Sequence, residues 1–292
     1  MNRFSILFVL AFCFSLAAVG QDFRFGFKTG LNFNSFNSDG EKDADGKTLE
    51  TFERNTSFHV GATFSWAATE LMGLRGEFML SQMGGRRAYN GPSYYFLYTQ
   101  DGMRNTVTGT RRMDININQS YLTFPVMGYF RPVKFLEIHA GGSFGFLVAS
   151  NGFGELTFNG VAETGAALQP ITHELDVNYF GDRPRGQEFS SPPTTIPFRG
   201  QNVPIPQTAG AYFEFPEDRG KLYRVLDAGL VGGLSFFFNK SLYVGGRAYY
   251  GLTDVTKSRA HVSLRELDNG EFITRDVDDR NFSIQVSIGF SF

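Results

Sequence analysis

Phe282-Ser283-Ile284-Gln285-Val286-Ser287-Ile288-Gly289-Phe290-Ser291-Phe292 alternates without interruption. Phe282, Ile284, Val286, Ile288, Phe290 and Phe292 are apolar, and the residues between them are polar or tiny. In a strand, successive side chains point to opposite faces. One face of this segment therefore suits hydrocarbon and the other suits small or polar neighbours.

The same period of two recurs along the chain. In 22–36 the apolar set is Phe23, Phe25, Phe27, Leu31 and Phe33, opposite Arg24, Lys28 and Asn32. In 56–67 it is Phe58, Val60, Phe64 and Trp66, opposite His59 and Thr63. Segments 74–82, 136–150, 224–239 and 242–255 follow suit, and their polar faces carry Arg75 and Glu77, Glu137 and His139, Asp227, and Arg247. The remaining segment, 113–131, alternates well from Leu122 to Phe130, but Ile115 and Ile117 have the opposite parity. Either a β-bulge lies near Gln119-Ser120 or the strand rises out of a bilayer and changes environment. Pro125 is a second irregularity, because proline donates no ladder hydrogen bond.

A soluble sandwich also alternates, but these segments mostly run 9–15 residues. Soluble strands average about 5–6 residues, and membrane strands need about 9–11. The connections also alternate. Short ones fall at 68–73, 132–135 and 239–240, and long ones at 37–55, 83–112, 151–223 and 256–280. That is the arrangement of an outer-membrane barrel with short periplasmic turns and long extracellular loops. The fold class is all-β: an eight-stranded antiparallel transmembrane β-barrel over 21–292, with both ends in the periplasm and a long extracellular loop at 151–223. Bilayer hydrocarbon enforces closure, because an open edge would leave backbone groups unpaired at several kcal/mol each.

Residues 1–20 read as a cleaved secretory signal peptide: basic Arg3, an apolar run from Phe4, and Ala18-Val19-Gly20 as a small-x-small cleavage site. The run is short for a retained spanning helix. The single cysteine, Cys13, follows Phe12 rather than a small residue, which argues against lipidation. With 27 basic and 29 acidic residues among 292, the charge is too balanced for a nucleic-acid-binding face. One cysteine excludes a disulfide framework or a Cys-based zinc site. The 33 Phe residues exclude a disordered chain.

Three motifs add to this reading. Gly26-Phe27-Lys28-Thr29-Gly30-Leu31-Asn32 resembles the first-strand signature of the PorT-type outer-membrane β-barrel family of Bacteroidota. Leu122-Thr123-Phe124-Pro125-Val126 resembles that family's proline-containing strand, and Arg247-Ala248-Tyr249-Tyr250-Gly251-Leu252-Thr253-Asp254-Val255 resembles its penultimate strand. The resemblance implies location and fold. The family's namesake is tied to the type IX protein-secretion pathway, so the resemblance also implies an accessory role in a secretion or uptake machine.

The interior of an eight-stranded barrel is just wide enough for side chains to fill. The inward positions hold Arg24, Lys28, Arg75, Glu77, Glu137, Asp227 and Arg247, both signs together, so a paired network that holds the barrel shut is expected. The rival is an ion pathway lined by the same groups. Ser57 and His59 share a face, but no G-x-S-x-G elbow and no identifiable partner Asp accompany them, so no catalytic site, cofactor or metal is expected. His139 is read as a hydrogen-bonding lumen residue.

In the first loop, Asp39, Glu41, Asp43, Asp45 and Glu50 resemble a calcium loop only loosely, because the twelfth position is Phe52. A solvated acidic loop is the expectation, with divalent cations bridging it to lipopolysaccharide as the alternative. Tyr89, Tyr94, Tyr95, Phe96 and Tyr98 form either an exposed contact surface, an interfacial girdle or a loop packed on itself. The third loop holds eight of the eleven prolines, and within it 155–161 and 211–215 are expected to pair as a hairpin. Expected partners are outer-membrane lipid, lipopolysaccharide and an envelope protein, with no nucleic acid. The expected role is non-enzymatic, a scaffold or surface contact through the loops. A secretion accessory, a small pore and a lipid-modifying enzyme are the alternatives.

Overall fold

The computed structural model describes residues 23–161, 167–182, 187–217 and 220–292. The expected leader, Cys13 included, lies outside them. Eight long strands form the wall: β1 (Phe23–Asn37), β2 (Asn55–Ala67), β3 (Met72–Tyr98), β4 (Arg104–Val133), β5 (Leu136–Val161), β6 (Leu226–Phe237), β7 (Leu242–Gly251) and β8 (Arg280–Ser291). Each pairs antiparallel with its neighbours in sequence, and β8 pairs with β1 to close the ring. Phe27 faces Phe290 across that seam and Phe33 faces Ile284. The terminal alternation therefore continues into the first strand with its apolar side in register.

Between β3 and β4 the ladder is interrupted only from Gly76↔Val126 to Met79↔Thr123, the stretch that contains Pro125. The exposed face of the wall is apolar, with Phe27, Leu31, Val126, Phe144, Leu230 and Val286 each about half exposed or more. Such a band is costly in water and suits hydrocarbon.

The long connections differ from the expectation. Strand β3 has 27 residues, β4 has 30 and β5 has 26. Crossing a bilayer takes about 9–11 residues, so all three continue far above it. The stretch 83–112 is thus mostly strand, and only 99–103 joins β3 to β4. Likewise the first part of 151–223 is the upper end of β5. Residues 155–161 do not pair with 211–215. They pair on one side with β4, and 155–158 also pair with Ile171–Asn178, an added strand on the other side.

The inversion around residue 120 has a definite cause. On β4 the buried positions Ile115, Ile117, Tyr121, Thr123 and Met127 all share one parity. That strand does not flip; its inner face passes from the polar lumen to the apolar inside of an extracellular domain, and its outer face passes from lipid to water. The bulge sits on β5 instead. Ser120 faces Ala149 while Tyr121 faces Leu147, which leaves Val148 as the extra residue. Beyond Val148 the inward parity of β5 switches, and Leu156 and Phe158 become fully buried.

They join Ile171, Leu175, Val177 and the hairpin Thr194–Phe198/Gln201–Ile205 in an apolar core above the membrane. Fully burying a side chain of this kind contributes about 1.5–3 kcal/mol. The barrel interior is filled mainly by polar groups, with a smaller apolar cluster of Met83, Tyr121, Leu147 and Tyr249 toward its outer end.

Candidate functional site

Successive tiers of side chains cross the lumen. Lowest, Glu137 receives Arg75 (Nη1–Oε1 2.7 Å) and Arg131 (Nε–Oε2 2.8 Å). The Arg75 guanidinium also lies between the Tyr129 and Tyr243 rings, at 5.8 and 5.6 Å. Gly289 makes room for this, because a Cβ there would lie 2.1 Å from the Tyr243 ring. His139 Nδ1 is 3.8 Å from Glu137 Oε1.

In the next tier Glu77 accepts from Lys28 Nζ at 3.1 Å and from Arg247 Nη1 at 2.5 Å, and Arg247 Nε donates to Gln285 Oε1. The space left beside Lys28, Arg75, His139, Tyr243 and Arg247 is about 10 Å³, roughly what one water needs. Charges buried this deeply persist only when paired, and Lys28, Arg75, Glu77, Glu137 and Arg247 pair across four strands, β1, β3, β5 and β7.

Two of the seven inward charges lie elsewhere. Arg24 is exposed at the periplasmic rim. Asp227 is buried near the outer end, where it accepts hydrogen bonds from Thr253 Oγ1 and Asn281 Nδ2 and is not ion-paired among the described residues. Alternation gives the face of a residue but not its height, and height separates these two from the network.

His59 is buried in the tier above Glu77, and its partner is not Ser57. Its Nδ1 lies 2.6 Å from Asn32 Oδ1 and its Nε2 lies 3.0 Å from Ser287 Oγ. Asn32 uses its amide nitrogen on the Phe58 and Gln82 carbonyls, so Oδ1 accepts from Nδ1–H and Nε2 is left to accept from Ser287. Gly30 allows the approach, since a Cβ there would meet Val286 O at 1.9 Å and His59 Cε1 at 2.9 Å. The Ser287–His59–Asn32 order is that of a nucleophile, base and orienting group. However, the space beside Ser287 is the same 10 Å³ gap, too small for an ester. Ser57 instead donates to the Gln82 carbonyl.

Above the membrane, the acidic first loop is only partly solvated. Asp39 and Asp45 are exposed, and Asp43 caps its own turn by accepting from the Asp45 and Lys47 N–H groups. Glu41 is buried, where it accepts from Ser263 Oγ and Leu264 N–H. Glu50 is buried between Arg87 (2.6 Å) and Arg275 (2.7 Å). Burial pushes the Glu50 carboxyl up, but the two guanidiniums and the Glu41 N–H outweigh it and hold the group below its ordinary value.

The second-loop aromatics are interior. Tyr89, Tyr94, Tyr95 and Phe96 are buried and Tyr98 is half-buried. Tyr94 packs against Arg111, which is ion-paired with Glu214. Tyr95 Oη bonds to Nε2 of His173 at 2.7 Å, and His173 Nδ1 donates to the Pro206 carbonyl. Burial lowers the His173 pKa, so the ring is neutral. Among the described residues no three His, Cys, Asp or Glu side chains cluster as metal ligands would.

A closed, eight-stranded antiparallel ring with an apolar outer band and a polar filled interior defines an integral outer-membrane protein. The sequence places it more closely: residues 19–257 match the outer membrane protein beta-barrel domain, and the chain belongs to that family. No curated protein sequence matches it significantly.

Among solved structures, it is similar to Ail, the attachment invasion locus protein of Yersinia pestis (11% identity, TM-score 0.36, covering 93% of this chain and 100% of that one). It is also similar to OprG from Pseudomonas aeruginosa (8%, 0.32, 92% and 95%). A third is the outer membrane protease OmpT from Escherichia coli (8%, 0.31, 93% and 97%).

Proposed function

We propose that this outer-membrane barrel is a non-conducting, non-enzymatic mount for a folded extracellular domain, and that the domain is a contact surface for another envelope or external protein. The observation that carries this reading is the position of the apolar core. Strands β3, β4 and β5 spend more than half their length above the bilayer and bury Leu156, Phe158 and their partners there. A chain that only needed to cross the membrane would have no use for that extension. The tiered lumen supports the non-conducting part. The lack of space beside Ser287 supports the non-enzymatic part.

A photo-crosslinking amino acid at exposed Met103 or Phe189, on intact cells, tests the reading. A discrete protein adduct is expected from these outer positions, and no adduct from either would contradict it. The PorT-type motifs at 26–32, 122–126 and 247–255 favour a second reading, an accessory subunit of a secretion machine such as type IX. In that case the discrete adduct arises from the periplasmic turns, at Lys134 and Lys240, and survives mild detergent extraction.

A further inference from the structure

The extracellular domain contains a cavity of about 130 Å³ that none of its ion pairs fills. One wall is the inner face of the raised sheet, with Ile115, Ile117, Leu175 and Val177; Phe213 and Leu222 stand opposite. The far end is polar. Glu50, Arg87 and Arg275 meet there with Thr256, His261 and Asp279.

We infer that this cavity is a binding site for one small, uncharged amphipathic molecule, a six-membered ring bearing a hydroxyl group. Three observations fix the class. The first is size: an apolar cavity of about 150 Å³ accepts benzene, so this one admits a single ring with a small substituent. The second is charge. The two positive charges of Arg87 and Arg275 meet two negative ones, Glu50 at 2.6 and 2.7 Å and Asp279 in the same polar lining. No net charge is left to attract an ionic head, and burying one would cost its desolvation.

The third is unmet hydrogen bonding. Thr256 Oγ1 and His261 Nε2, on side chains that are each 93% or more buried, have no hydrogen-bond partner among the described residues. The carboxylate nearest His261 Nε2, Asp254 Oδ1, is 3.8 Å away. Buried polar groups are rarely left so, and a hydroxyl can both donate and accept. The apolar lining takes the ring, and the 256–261 loop takes the head.

The test is a fluorine NMR titration of para-fluorophenol into the full-length protein in lipid nanodiscs, with empty nanodiscs as reference. Saturable binding is expected. Filling the cavity by Ala260→Phe should weaken it roughly tenfold or more, and Ala211→Phe does the same from another wall if the first variant fails to fold. Thr256→Val should weaken para-fluorophenol several-fold but leave fluorobenzene unchanged, and para-fluorobenzoate should bind at least about tenfold more weakly than the phenol. Uptake that is linear and equal in protein-loaded and empty nanodiscs overturns the inference. So does binding that is indifferent to the filled cavity, or a preference for the benzoate.

Discussion

Glu77 holds two cations, Lys28 and Arg247, and all three side chains are buried. Glu77→Gln should therefore destabilise the barrel by about 3–5 kcal/mol, the usual consequence of leaving buried charges unpaired. Urea unfolding in lipid vesicles measures this, and a loss below about 1 kcal/mol would show that the tier is solvated.

Outside the membrane, two groups set a pH dependence. Glu50 has a folded pKa below its ordinary value near 4.5, so its stabilisation is present above that value and lost as pH falls past it. His173 has a folded pKa below its ordinary 6.5, so the unfolded chain takes the proton first and stability falls once pH drops below about 6.5. Hydrogen exchange of 171–178 should accelerate in two acid steps. His173→Gln should remove the upper step and Glu50→Gln the lower.

Ser287→Ala should leave membrane lipid composition unchanged; an altered acyl-chain profile would revive a lipid-modifying role. The lumen charges were legible at this scale because alternation assigns faces. Glu41 and Glu50 were not, because nothing local announces that Ser263 and Arg275 return over the first loop. For the same reason nothing near His59 in the sequence marks Ser287 and Asn32 as its neighbours.

Single strands carry the next lesson, and Val148 is its clearest case. One extra residue turns Leu156 and Phe158 from the outer face to the inner, because the side-chain period is two. Deleting Val148 should return them to the outside. The membrane part of the barrel should still form, but the domain should become protease-sensitive at Arg111 and Arg112 on intact cells. Resistance equal to the wild type would show that the bulge is dispensable.

The bilayer-crossing segments were legible throughout, since lipid on one side and packed polar groups on the other impose strict alternation. The upper halves were not. There most apolar residues face inward and most outer ones face water, with Phe153 and Val161 as exceptions, so a continuing strand reads as a loop. Ile171, His173, Leu175 and Val177 alternate too, but His173 breaks the apolar run, and it is buried only because Tyr95 and Pro206 bond both ring nitrogens.

At the scale of the whole molecule, the structure is a polar-filled ring carrying an apolar-filled dome on one wall. The filled ring should pass no steady current in planar bilayers, and a stable open level would contradict the closed lumen. The central claim is the inversion itself: hydrocarbon-facing apolar residues below Val148, inward-facing ones above it. Single cysteines report on this once the lone natural cysteine is replaced by Cys13→Ser. Nitroxide labels at Phe146→Cys, Glu155→Cys and Leu156→Cys should be read by collision with oxygen and with a water-soluble nickel complex. Oxygen should dominate at 146, nickel at 155, and neither should reach 156. Oxygen access at 156 matching that at 146 would mean the strand never inverts, and the account would be wrong.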